Sequence, residues 1–269
     1  MQDTFTAADI KRLLTRALSV TVEDTVTSTN DILKARGEAG ETGEQILIAR
    51  RQTAGKGRLG RSFYSPRGTG LYISVLLHPD FSPERALSVT TAAAVAVAGA
   101  IEELTGKPAG IKWVNDVYLE GKKVCGILTE AAMEGSSGAL KYAVLGIGVN
   151  VLEPSGGFPE NIRDIAGALF DDTPPEDTLC RLTAGILNRF FALYDMLPDP
   201  VHMAEYRRCS ILDGLTVHFS QGNASYTGTV LGIDDEARLC IRLESGEEKA
   251  FSSGEVAIEK DFLDQLRER

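Results

Sequence analysis

Between residues 45 and 150 the apolar positions gather in short dense runs, 45–51, 71–77, 124–130 and 142–150. Each run is bounded by glycine, proline or polar clusters, and each predicts a strand. Elsewhere the spacing becomes helical. Ser82-Pro83-Glu84 offers an N-cap and a proline at the first helical position, which predicts an alanine-rich helix to about residue 104, backing the sheet. Thr173-Pro174-Pro175-Glu176 is a second capping signal. Leu179, Leu182, Ile186, Leu187, Phe190 and Leu193 then recur at helical spacing up to the break at 197–200. Shorter helices are predicted over 7–18 and 201–208. From residue 215 to about 258 the chain turns into short strands, 216–220, 225–233, 239–243 and 249–252, with turn signals at 221–223, 234–236 and 244–246. The pattern predicts an α/β (α+β) domain over 1–212 and a small β barrel over 213–269. The second unit is too small to be very stable alone, so it is expected to lean on the first.

The loop between the first two predicted strands concentrates charge and flexible backbone: Gly55-Lys56-Gly57-Arg58-Leu59-Gly60-Arg61. As a bare pattern this is the dinucleotide fingerprint, but the Gly- and Pro-rich 62–70 that follows cannot be the helix such a unit requires. A kinase-type glycine loop is also excluded, because the His-Arg-Asp and Asp-Phe-Gly motifs are absent. Gly55, Gly57 and Gly60 are expected to permit positive φ and close approach to a ligand, while Lys56, Arg58 and Arg61 supply donors for anionic oxygens. With Arg50, Arg51 and Arg67 nearby, the mutual repulsion predicts a loop that orders only when an anion arrives. A solvated surface loop with incidental charge is the plain alternative.

Three further stretches carry candidate chemistry. In Lys112-Trp113-Val114-Asn115-Asp116, an Asp beside an Asn at a strand end fits a magnesium and nucleotide site, since Mg²⁺ takes one or two carboxylates plus phosphate oxygens; Asn-Asp is equally ordinary turn chemistry. After the hairpin signal Glu120-Gly121-Lys122-Lys123 comes a buried strand in which Gly126 permits close approach, with Lys123 at its mouth either functional or merely solvated. In the run 142–150, Gly146 and Gly148 share one face. They make either a flat floor for a compact ring system or a packing notch for a neighbouring helix.

Taken in order, Ser28-Thr29-Asn30, Gln52 to Arg61, Lys112 to Asp116, Lys123 to Glu130 and Gly146-Ile147-Gly148-Val149-Asn150 resemble the biotin protein ligases, from about residue 25 to the end of the chain. The resemblance implies a class II synthetase-like catalytic domain with a mixed sheet and an SH3-like C-terminal barrel. It implies an enzyme that joins biotin and Mg-ATP into biotinoyl-5'-AMP, then acylates one lysine of a biotin carboxyl carrier protein domain. By the same resemblance Ser28, Thr29, Asn30 and Gln52 contact the biotin head or its surroundings; Ser28 is also explained as the N-cap of the helical pattern at 32–35. Gly55, Lys56, Gly57 and Arg58 fold over the intermediate. Arg58 and Lys123 stand nearest the carboxylate and α-phosphate, Lys112 organises charge, and Asp116 holds Mg²⁺. Asn115 and Asn150 lie near the adenosine, and Gly126, Gly146 and Gly148 are counted among the binding residues. The chain departs from the family where Lys56 replaces the usual Arg, Phe63 a frequent Trp and Val114 a frequent Pro. No site residue is assigned beyond Asn150. A lipoate ligase shares the fold and the adenylate logic, and a non-enzymatic sensor of biotin or nucleotide is a third reading.

Composition narrows the partners. At 269 residues, 43% hydrophobic and 25% charged, the chain is ordinary for a globular protein. Its net charge of −10 argues against general nucleic-acid binding, and too few residues precede the first motif for a helix-turn-helix domain. Cys125, Cys180, Cys209 and Cys240, with His78, His202 and His218, are scattered without metal-ligand or disulfide spacing. The apolar run at 92–101 is too short to cross a bilayer, so no membrane partner and a cytoplasmic location are expected. Monomer and homodimer both stay open, the latter through sheet-edge pairing.

Overall fold

The fold is taken from a computed structural model, which describes residues 5–135, 138–258 and 262. The chain runs through α1 (Ala7–Leu13), β1 (Ser19–Glu23), α2 (Thr29–Glu38), β2 (Gln45–Ala49), β3 (Gly70–Leu77), α3 (Leu87–Thr105), β4 (Ala109–Lys112), β5 (Asp116–Leu119), β6 (Lys122–Met133) and β7 (Leu140–Asn150). It continues through α4 (Thr178–Tyr194), α5 (Met203–Arg208), β8 (Thr216–Gln221), β9 (Ala224–Ile233), β10 (Leu239–Leu243), β11 (Glu248–Phe251) and β12 (Glu255–Ala257). Strands β1 to β7 form one mixed sheet in the order β1-β2-β3-β7-β6-β5-β4. Only the β1·β2 pair is parallel.

Alternation along the strands sorts the core. In β7, Ala143, Leu145, Ile147 and Val149 face α3 and the main core, while Tyr142 and Val144 face α2 with Leu33, Leu47 and Leu76. Helix α3 is apolar all round because it is sandwiched, and α4 covers it. By length and composition α3 could cross a membrane, and here it is a buried core helix.

Three expectations shift. The helix foreseen over 7–18 stops at Leu13, because the β-branched alternation from residue 19 prefers the parallel ladder with β2. Ser82-Pro83 opens only a 3₁₀ turn, Pro83–Arg85, and α3 starts at Leu87 without a side-chain cap. The capping signal at 173–176 likewise lies ahead of α4, whose N-cap Asp177 makes no side-chain capping bond.

The second sheet is antiparallel, β11-β10-β9-β8-β12, with one strand more than the sequence pattern indicated. It leans on the first unit as expected. The Trp113 indole packs 6.2 Å from the Phe219 ring and donates its Nε1–H to Ala237 O at 2.8 Å. Arg207 Nε–H donates to Ile233 O at 2.6 Å, and buried side chains from both sheets share one continuous hydrophobic cluster. This contact places β12 beside the cationic loop.

Candidate active site

A cavity of about 470 Å³ opens on the α2 face of the first sheet. It is lined by fifteen of the sixteen residues singled out above, all but Gly55. Two chemically distinct ends meet in it.

The neutral end is built where α2 meets β3 and β7. Ser28 caps α2, its Oγ accepting from Asp31 N at 3.4 Å, and it also lines the cavity. Thr29 and Asn30, in the first turn, are 3% and 4% exposed, a burial that polar side chains tolerate only when bonded. They are: Thr29 N–H donates to Gln52 Oε1 at 2.8 Å, and Gln52 Nε2–H donates to Ser65 Oγ at 3.1 Å. The Ser74 hydroxyl lies 2.7 Å from Thr29 Oγ1 and 2.6 Å from Asn30 Oδ1. Ser74 stands opposite Gly146 in the β3·β7 ladder, and a Cβ on Gly146 would lie 2.3 Å from Asn30 Oδ1. Gly146 is therefore the notch of the two readings, and the helix residue it admits is Asn30.

The neighbouring glycines hold a ring of the protein's own. Gly126 and Gly148 are register partners, and a Cβ on either would meet the Phe63 ring, at 3.3 and 2.6 Å. The flat floor exists, and Phe63 rests on it, edge-on to Tyr72.

The cationic end gathers from four elements. Lys112 ends β4, Asp116 opens β5, Lys123 lies near the start of β6, and Arg58 reaches in from the loop. Asp116 Oδ1 pairs with Lys123 Nζ at 2.7 Å and accepts from Asn115 Nδ2 at 2.9 Å. Asn115 Oδ1 accepts from Arg58 Nη1 at 2.7 Å, and Asn115 Nδ2 also donates to Ile127 O. Burial pushes the Lys112 ammonium below the usual lysine range, against the pull of Asp116. Three cations around one carboxylate leave a surplus of positive charge, the arrangement an anionic reactant requires.

The loop takes a defined course here. A bridge joins Lys56 and Ser62, and Arg58–Gly60 makes one 3₁₀ turn. The expected repulsion is met by carboxylates of other elements: Lys56 pairs with Asp31 of α2, and Arg61 Nη1 with Glu255 of β12 at 2.7 Å. Of the three glycines expected to take positive φ, only Gly60 does, at 75°, and Leu59 beside it has φ 54° and is 71% exposed at the tip. Gly55 serves close approach instead, since a Cβ would lie 2.5 Å from Phe63 O. That contact is with the loop itself, which is why Gly55 stands outside the cavity wall.

Sequence reasoning missed two walls. Ile162, Ile165 and Ala166 line the cavity, tied down by Lys123 N–H donating to Ile165 O at 2.8 Å and Asn150 Nδ2–H donating to Gly167 O at 3.0 Å. Glu255, Ala257 and Ile258 of the second unit close another side. Neither segment carries a motif; bonds to Lys123 and Asn150 bring in the first, and the packing of the second sheet on the first unit brings in the other. Among the described residues no group of three His, Cys, Asp or Glu side chains assembles. A divalent cation at Asp116 would draw its other ligands from phosphate and water, as Mg²⁺ commonly does.

Comparison with known proteins agrees with this geometry. Residues 22–150 match the biotin/lipoate A/B protein ligase family, and residues 214–258 the biotin protein ligase C-terminal domain. The chain is 31% identical over 237 residues to the biotin--[acetyl-CoA-carboxylase] ligase of Mycobacterium tuberculosis, covering 85% of each chain. It is 32% identical over 212 residues to the bifunctional ligase/repressor BirA of Bacillus subtilis, where the match takes in 77% of this chain and 64% of the relative, less than two thirds of that protein's length. The biotin protein ligase of Aquifex aeolicus, solved with biotin and ATP, superposes with a TM-score of 0.70 at 30% identity, covering 89% of this chain and 97% of that one. With both domains matched, relatives above 30% identity along most of their length, and the motif residues gathered round one cavity, the chain belongs to the biotin protein ligase family.

Proposed function

We propose that this protein activates biotin with ATP and transfers it to one lysine of a biotin carboxyl carrier protein domain. The carrying observation is the junction of a neutral hydrogen-bonding end and a cationic end in one cavity of about 470 Å³. A biotin head, neutral and rich in amide groups, fits the first; its carboxylate and the phosphates of ATP fit the second.

Two anions must be brought together for the first step, and Arg58 and Lys123 offset their repulsion. A biotin carboxylate oxygen attacks the α-phosphorus, and the bond from that phosphorus to the bridging oxygen breaks, releasing pyrophosphate. Lys112, half-buried at the end of β4, would place a further positive charge beside the leaving phosphates. Asp116 is the residue that would hold magnesium bound with the nucleotide, and the ion would supply charge neutralisation of the triphosphate. The loop around Lys56, Gly57 and Arg58 then shields the mixed anhydride from water. In the second step the acceptor lysine, as free amine, attacks the acyl carbon; the bond to AMP breaks and the lysine proton goes to solvent. The match of residues 214–258 to a biotin protein ligase domain favours biotin over lipoate. The net charge of −10 and the burial of α3 support a cytoplasmic protein without nucleic-acid or membrane partners.

Intact-mass analysis of a carrier fragment incubated with the protein, biotin and Mg-ATP tests the reading. One biotinyl addition, dependent on ATP and absent with lipoate, is expected. Pyrophosphate release without that addition would move the search to another acceptor, and no pyrophosphate at all would leave a sensor. Asp116→Ala is expected to stay folded and lose magnesium-dependent adenylate formation.

A further inference from the structure

Behind the neutral end, outside the cavity wall, stands an ion pair that the proposed chemistry does not use. Lys34, one turn after Asn30 on α2, donates to Glu130 Oε1 at 2.7 Å, and Glu130 Oε2 accepts from Asn30 Nδ2 at 3.0 Å. Burial works to raise the Glu130 carboxyl, but the bonds from Lys34 and Asn30 outweigh it and hold the group below the ordinary glutamate range. Glu130 thus stays ionised, and an ionised carboxylate only accepts hydrogen bonds.

We infer that Glu130, braced by Lys34, is a positioning residue that fixes which way the Asn30 amide faces and so makes this end of the cavity selective for a carbonyl oxygen. The inference deepens the proposed function and rests on it. Because Glu130 cannot donate, the Asn30 amide must turn its nitrogen toward it; the reverse orientation would set Oδ1 against a carboxylate. Oδ1 then falls 2.6 Å from the Ser74 hydroxyl, which supplies a proton. Gly146 leaves the space this rotamer needs. With one N–H given to Glu130 and the oxygen taken by Ser74, the other N–H of Asn30 is left for the ligand. Gln52 is similarly committed: its oxygen accepts from Thr29, and one N–H goes to Ser65, leaving one donor. A wall offering N–H donors recognises a ureido carbonyl and opposes a group that only donates.

Isothermal titration with biotin and with its cyclic guanidine analogue 2-iminobiotin, without ATP, tests this on the whole chain. Glu130→Gln preserves shape but gives Asn30 a partner that both donates and accepts, so either amide orientation is satisfied. The expected result is a biotin Kd weakened about tenfold and a preference for biotin over the guanidine analogue that shrinks by a similar factor. The KM for ATP and the melting temperature are expected to stay close to wild type. Lys34→Met, which leaves the carboxylate in place, is expected to move the preference in the same direction but less. A preference unchanged in Glu130→Gln, even with weaker binding of both acids, would reduce the pair to structural support and overturn the inference. Wild-type protein that binds neither acid would overturn the parent reading and this one with it.

Discussion

The two ends of the cavity are held by different physics. At the neutral end, Thr29, Asn30 and Ser74 are almost wholly buried, and their bonds run between side chains fixed on a helix and a strand. Breaking one such bond leaves a buried group unsatisfied, at a cost of about 1–3 kcal/mol. At the cationic end the loop is tied by ion pairs whose side chains keep much of their exposure, 41% for Lys56 and 70% for Arg61. Exposed pairs of this kind contribute roughly 0–1 kcal/mol and weaken with salt. A rigid end suits recognition of a fixed shape. A loosely tied end suits a loop that must open for nucleotide and close over a reactive intermediate. The comparison locates specificity in the first region and gating in the second.

Four substitutions test that division, in order of expected effect. Lys123→Ala leaves Asp116 without its cation and strips charge from the reacting centre; adenylate formation is expected to fall on the order of 1000-fold, measured by pyrophosphate release, with biotin Kd little changed. A large loss of biotin affinity would mean the two ends are not separable. Arg58→Ala removes the loop's reach to Asn115 and is expected to raise leakage of biotinoyl-AMP into solvent about 100-fold, read by chromatography of the released adenylate. Unchanged leakage would remove the loop from that role.

Gly146→Ala attacks the rigid end alone. Its Cβ would press on the Asn30 amide, and biotin affinity is expected to weaken about 30-fold while the KM for ATP holds. Equal loss of both would show strain reaching across the sheet. Smallest is Asp31→Asn, which frees Lys56; a change of about threefold or less in kcat/KM is expected, vanishing at high salt. A salt-independent defect there would mean the Lys56 pair is structural rather than a loose tie.

Much of this site was legible because each motif is local. The cations and glycines of 55–61 are contiguous, and the strands on either side are announced by dense apolar runs, so a strand, loop and strand followed from pattern alone. Gly146 and Gly148 could be placed on one face because strand period is two. What occupies that face was not legible: Asn30 and Phe63 come from segments far away in sequence. The segment over Ile162 and Ile165 escaped for a related reason, since apolar residues outside a periodic run look like any loop until Lys123 and Asn150 pin them to the sheet.

The sequence by itself determined which residues could do this chemistry, the strand faces on which they stand, and the change of character near residue 215, because these depend on local composition and on helix and strand periods. Only the tertiary structure decided the rest. The sheet order brings β6, β7 and α2 together, so Glu130 meets Asn30. The lean of the second sheet on the first sets Glu255 against Arg61. Such pairings join residues about a hundred or more positions apart; they follow from how buried surfaces pack, which no local pattern encodes.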